Sequence, residues 1–174
     1  MILETERLIL REWTNEDLPS LRSFLQDSEV MYAYEGAFSD EEVENWLAWN
    51  QSLYQSDGYG LWALVRKEDQ TVIGECGLTK QIVEEETYLE IGYHLIKDAW
   101  HEGYAIEAAT AVKCYAFETL QAPEVISVIR DTNLSSMNVA IRNGMTAKKR
   151  FIKHYRGHTM PHFLFAVKNS NKHQ

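Results

Sequence analysis

The sequence predicts a mixed α+β domain, and three observations carry that prediction. Runs with an apolar period of two alternate with runs of helical period. Three strand-like runs in the middle of the chain follow one another through short turns, as antiparallel hairpins do. Two later strand-like regions are reached only through helices, as crossover connections are. In order the elements read β-α-α-β-β-β-α-β-α-β-β, an α+β or mixed α/β sheet.

Residues 7–13 read as the first strand. Thr14, with Glu16 and Asp17 behind it, has the form of an N-cap with acids in the first helical turn, and that helix reaches about residue 25. Ser39-Asp40-Glu41-Glu42 is a capping box, and the helix behind it sets Val43, Trp46, Leu47 and Asn50 on one side. Strand-like runs follow at about 60–66, 71–80 and 87–95. Residues 67–70 make a tight hairpin between the first two, and the acidic stretch 82–86 turns into the third. A helix over about 103–120 carries Ala105, Ala108, Ala109, Val112 and Ala116 as a narrow stripe suited to close packing on a sheet. A strand at 125–129, a short helix at about 134–143 and strands at about 147–154 and 162–167 complete the chain.

With 174 residues, 45% of them hydrophobic and 25% charged, the chain suits one domain with a core large enough to fold alone. The expected division is a domain over 1–168 and a polar C-terminal tail over 169–174. No apolar run approaches the roughly 18 residues of a membrane span. The first residues lack a basic stretch followed by an apolar one, so the reading is a cytoplasmic protein without a secretory signal. Cys76 and Cys114 are expected to be reduced packing residues.

The net charge of −9 is unevenly spread. All 26 acids and nine of the 17 basic residues lie at or before Asp131, leaving −17 there and +8 over the last 43 residues. Overall acidity excludes a nucleic-acid partner. Two readings of the split stay open: an acidic body for a cationic substrate with a basic end for a phosphate-bearing ligand, or solubility with a solvated basic tail.

The chemistry concentrates in Trp100-His101-Glu102-Gly103-Tyr104-Ala105-Ile106-Glu107-Ala108. A strand leads through a glycine into a long helix, whose N-terminus exposes unpaired N–H groups and the positive end of its dipole. Such a turn cradles a pyrophosphate. Spacing alone favours simple helix entry over such a cradle.

The segment resembles the acetyl-CoA-binding motif [QR]-x-x-G-x-[GA] of the GNAT superfamily, with Trp100, Gly103 and Ala105 at its fixed positions. More specifically it is similar to the Rim-type branch, which acetylates protein N-termini and various small amines. Glu90-Ile91-Gly92-Tyr93-His94-Leu95 and 100–108 match that branch's E-I-G-Y-x-L and W-G-x-G-Y-A-x-E-A. Residues 5–11 resemble its opening strand. Asn133-Leu134-Ser135-Ser136-Met137-Asn138-Val139, followed by Asn143-Gly144-Met145, resembles its N-x-x-S-x-x-V motif and late glycine. The matches span most of the chain in order. They depart at His101, where the branch has glycine, and at Glu102, where it has a basic residue.

The resemblance implies a GNAT-like fold, a central mixed, mostly antiparallel twisted sheet of about seven strands with about four helices. It implies acetyl transfer from acetyl-CoA, as co-substrate and without a metal, to a primary amine on a protein N-terminus or small molecule. Attack is direct, in a ternary complex, since no Cys or Ser sits in an activated nucleophile motif. A homodimer is one arrangement the family adopts. The alternative is a non-catalytic acyl-CoA-binding or protein-interaction module on the same fold.

Amine acetylation needs a neutral amine, a donor for the thioester oxyanion and a proton for the departing thiolate. Glu90 is the expected base; the other reading is a structural carboxylate held by neighbouring backbone. By the resemblance, His94, Leu95 and Ile96 lie along the pantetheine arm and their N–H groups serve the oxyanion. His101, Glu102, Gly103, Tyr104 and Ala105 form the pyrophosphate cradle. Asn133 contacts the pantetheine amides and Asn138 faces the cofactor. Many relatives place an acidic tyrosine where Ala140 stands. Ser136 is the replacement, or else it caps the short helix. Tyr32, Tyr34, Glu35 and His162 are the expected acceptor-side residues. His154, His158 and His162 share a four-residue spacing, but Gly157 and Pro161 make this a hairpin, where that spacing does not assemble a metal site. Lys148-Lys149-Arg150 either meets the cofactor's phosphate or forms a solvated strand edge.

Overall fold

The computed structural model describes residues 1–34, 36–155 and 157–172. Its strands are β1 (Leu3–Glu4), β2 (Leu8–Arg11), β3 (Leu61–Arg66), β4 (Val72–Val83), β5 (Glu86–Leu95), β6 (Glu124–Arg130), β7 (Thr146–Tyr155) and β8 (His158–Lys168). Its α-helices are α1 (Leu18–Leu25), α2 (Asp40–Ser56), α3 (Tyr104–Glu118) and α4 (Leu134–Arg142). The strands form one sheet in the order β1-β2-β3-β4-β5-β6-β8-β7. Every neighbouring pair is antiparallel except β5 with β6. The expected fold class is present. The eighth strand beyond the expected seven is β1, whose two residues are too short for any periodic signal.

The capping signals act as read. Ser39 Oγ accepts the Glu42 N–H at 3.2 Å, and Glu42 Oε1 accepts the Ser39 N–H at 3.1 Å. Thr14 and Asp17 make a similar box, but it opens a 3-10 turn before α1 begins. Alternation along β3 sends Trp62 and Leu64 into one apolar cluster and Ala63 into another. The first cluster lies under the alanine face of α3, where Ala108, Ala109, Val112 and Ala116 are buried. The second lies under α1 and α2. Helices thus cover both faces of the central strands.

A short turn and a close approach fix the geometry around β5. Glu84 and Glu85, at φ 48° and 74°, make a two-residue turn, so β4 and β5 pair from Val83↔Glu86 to Gly74↔Leu95. Both strands outrun the expected limits because that turn needs only two residues. At the far end a Cβ on Gly74 would stand 2.1 Å from the His94 carbonyl oxygen, so only glycine lets β4 approach β5 there.

The expected polar tail starts later than 169. Asn169 is buried, its N–H donating to Pro123 O at 2.9 Å and its amide to Ala122 O at 3.1 Å. No helix among the described residues is long and apolar enough to cross a membrane.

Candidate active site

β5 and β6 run parallel yet pair at one position only, Glu90 opposite Ile126. Beyond it they splay, and side chains hold the opening. Ser127 Oγ donates to Ile91 O at 2.9 Å, and the Val128 N–H donates to Glu90 Oε2 at 2.7 Å. Trp100 Nε1 donates to Leu95 O at 3.1 Å. The splay widens into a cleft of about 410 Å³.

One wall is the start of α3. The chain turns through His101 at φ 65° and Gly103 at φ 80°, and Gly103 is the N-cap residue. The left-handed backbone at 101 explains why glycine suits that place. His101, Gly103, Tyr104 and Ala105 line the cleft. Glu102 does not; its carbonyl accepts from Arg7 Nη1 at 2.9 Å, and the expected cradle loses that side chain. The first helical turn is tied down from outside. Glu107 accepts Arg7 Nε at 2.7 Å, Thr5 Oγ1 at 2.6 Å and the Arg7 N–H at 3.0 Å. These bonds leave the N-terminal N–H groups of α3 for the cleft.

The backbone of β5 divides by its period of two. The Ile96 N–H donates to Ile73 O at 2.8 Å, toward β4, whereas the carbonyls of Ile91 and Leu95 face the splay. His94 shares the orientation of Ile96, and Tyr93 that of Leu95. The expectation for backbone contacts is therefore corrected: Tyr93 and Leu95 present backbone to the cleft. Ile96 does not line it, and His94 enters with its side chain.

Glu90 lies half-buried on the cleft wall. Loss of water raises its carboxyl to about 7, against the Val128 N–H and the neighbouring Lys153 and His94. The two readings of Glu90 are thus both physical here, since one oxygen is held by backbone while the group still borders the cavity. Across the splay, Asn133 Oδ1 caps α4 by accepting the Ser136 N–H at 3.2 Å. Asn133, not Ser136, is the cap, and it keeps only its amide NH₂ for a ligand. Ser136 and Asn138 line the cleft. Tyr93 Oη donates to Ser136 O at 3.4 Å, and burial pushes its phenol up to about 12, so it stays a donor.

The opposite wall is aromatic, with Tyr32, Tyr34, Trp46 and Trp49 all lining the cleft. Glu35 lies outside the described residues. His162 also lines it, but inside β8 rather than near a hairpin tip, since that strand begins at His158. It is buried, with Nδ1 bonded to Met160 O at 2.9 Å, and burial lowers its pKa. Behind the aromatic wall sits a carboxylate that sequence reading passed over. Glu75 on β4 is fully buried; Oε1 accepts Trp13 Nε1 at 3.2 Å and Trp46 Nε1 at 3.1 Å, and Oε2 meets His94 Nδ1 at 2.8 Å. Nothing in a strand-like run distinguishes an inward acid, and its place opposite His94 is visible only in the folded register. Among the described residues no cluster of three or more His, Cys, Asp or Glu is arranged for a metal.

The model of the acetyltransferase (GNAT) domain matches residues 7–146. The chain is 34% identical over 152 residues to YkkB of Bacillus subtilis (strain 168), spanning 87% of this chain and 88% of that protein. It is 29% identical over 145 residues to YoaA of the same organism, which is named an N-acetyltransferase, spanning 82% and 81%. Among solved structures it is similar to a GNAT-family acetyltransferase from Bacillus anthracis, with a TM-score of 0.82, 22% identity and coverage of 96% and 98%. It is similar as well to RimL, a ribosomal L7/L12 α-N-protein acetyltransferase in complex with coenzyme A, with a TM-score of 0.79, 18% identity and coverage of 96% and 97%.

Proposed function

Because the chain belongs to the acetyltransferase (GNAT) family and is thereby an acetyl-CoA-dependent N-acetyltransferase, we propose that it acetylates a primary amine by direct attack within the β5–β6 cleft. The observation that carries the proposal is the splay itself, which opens backbone polar groups of β5 onto the N-terminus of α3. That donor set fits an acyl-CoA: N–H groups at a helix start for pyrophosphate, and strand-like backbone for the amides of the pantetheine arm.

The co-substrate supplies an electrophilic thioester carbonyl and a thiolate leaving group. Glu90 takes a proton from the amine, directly or through water; a carboxyl near 7 is poised to do so at neutral pH. Ser136 gives a proton toward the thiolate, in place of the tyrosine that Ala140 replaces. The Tyr93 and Leu95 backbone donors serve the oxyanion. The acceptor is a protein N-terminus or a small amine, as the Rim-type resemblance suggests, and the working compartment is the cytoplasm. RimL, of similar fold and in complex with coenzyme A, supports the same co-substrate here.

Thiol release from acetyl-CoA across a panel of peptide N-termini, polyamines, amino sugars and amino acids tests this reading. A responsive amine is expected, with Glu90→Gln and Ser136→Ala each lowering kcat by about 10²-fold or more. Acetyl-CoA binding without turnover of any amine favours the non-catalytic module. No thermal stabilisation by millimolar acetyl-CoA overturns both.

A further inference from the structure

We propose that His94 is a second proton acceptor for the incoming amine and that the buried Glu75 is its positioning residue; this rests on the acetyltransfer reading above. The imidazole enters the cleft from the same strand face as Glu90, with only 13% of its side chain exposed. Its ring packs against Phe24, Tyr34 and Trp46, at centroid distances of 6.2, 5.4 and 6.0 Å. Its Nδ1 lies 2.8 Å from Glu75 Oε2, and Nε2 has no partner among the described residues.

Glu75 decides the tautomer. Its carboxylate is wholly buried and already accepts two indole N–H groups on Oε1, from Trp13 and Trp46. It offers Oε2 as an acceptor, so His94 carries its hydrogen on Nδ1 and keeps the lone pair on Nε2. The indoles fix the carboxylate, the carboxylate fixes the ring, and the ring presents a proton acceptor to the acceptor half of the cleft.

The reaction gives such a group a task. An acceptor arriving as an ammonium sheds two protons before it becomes an amide, and Glu90 takes one. His94 Nε2 takes the first, turning the ammonium into the nucleophile, and returns it to solvent through its exposed edge. The amine nitrogen then bonds to the thioester carbon, and the C–S bond breaks with its electron pair on sulfur. The second proton passes to Glu90 and balances the one that Ser136 delivers to the thiolate. Acetyl-CoA and the ammonium yield amide, free thiol and one released proton, with no further reactant. The groups facing the imidazole are Glu75 from β4, Tyr34 from the loop before α2, and the uncharged rings of Phe24 and Trp46 from α1 and α2; Glu90 and Lys153 share the cleft.

Two variants test the pair. His94→Gln removes the acceptor nitrogen. Glu75→Gln keeps an oxygen for the indoles but turns an NH₂ toward Nδ1, which drives the hydrogen to Nε2 while the ring stays in place. With the most reactive amine of the panel, each variant is expected to lower kcat/KM by about 10²-fold or more at pH 7. The acetyl-CoA-induced thermal shift stays as in the wild type. The deficit narrows at least tenfold by pH 10, where an α-amine arrives neutral and an alkylamine partly so. Nitrogen-15 spectra of labelled histidine are expected to place the His94 hydrogen on Nδ1 in the wild type and on Nε2 in Glu75→Gln. Activity of His94→Gln within twofold of wild type, a pH-independent deficit, or an Nε2–H wild-type ring each overturns the proposal. A wild type that turns over no amine overturns instead the acetyltransfer reading on which it rests.

Discussion

Glu90 joins stability to activity at a single residue. Its carboxyl rises from the ordinary 4.5 to about 7 through desolvation. A carboxyl that is harder to ionise when folded gives its full stability below 4.5, loses it as pH rises toward 7, and has lost it above. The difference is on the order of 3 kcal/mol by linkage. Glu90→Gln, which keeps an oxygen for the Val128 N–H, is expected to melt higher than wild type at pH 8 and alike at pH 4.5. The rate kcat/KM of the wild type rises through pH 7 over the same interval. Thermal melts at both pH values check the first statement and a pH–rate profile the second. His101 offers a second test. Its φ of 65° favours glycine, so His101→Gly is expected to gain about 0.5 to 1 kcal/mol in urea unfolding. Glu90 and Ser136 could be singled out because each stands at a motif position, and both line the cleft. Glu75 could not, because one acid in a strand run carries no sign of what it faces.

The elements were legible wherever periodicity or capping marks them. The Ser39–Glu42 box opens α2 as read, and the alanines of α3 pack on the sheet as their spacing implies. What stayed hidden is non-local. Alternation reveals a strand but not its neighbour, so the single parallel pairing of β5 and β6 could not be seen, and with it the splay that makes the cleft. The resemblance placed the backbone of His94 and Ile96 on the cleft side, whereas in the fold Ile96 pairs toward β4. Local turn chemistry shows a second element-scale effect. Glu84 and Glu85 both sit at positive φ, where Asn-Gly fits without strain. The double change Glu84→Asn with Glu85→Gly is expected to stabilise the fold by about 1 kcal/mol, despite losing the exposed Lys149–Glu84 pair. Equilibrium unfolding measures it, and a loss of stability would count against that turn geometry.

Across the whole molecule, charge segregated along the sequence is recombined by the fold. Lys149 and Arg150 of the basic end sit on the edge strand β7, within 3.0 Å of Glu84 and 3.3 Å of Asp131. Of the two readings of Lys148–Arg150, the strand edge is the one the topology supports. The architecture is a sheet whose neighbouring strands pair along their length except β5 and β6, which pair only at Glu90 and Ile126, with the start of α3 held at the gap by Arg7, Thr5 and Glu107. The most direct test is an amide chemical-shift titration with acetyl-CoA. The largest changes are predicted at Tyr93, Leu95 and residues 103–106, on the two walls of the splay. Changes confined to other surfaces, or none at millimolar acetyl-CoA, would contradict the account.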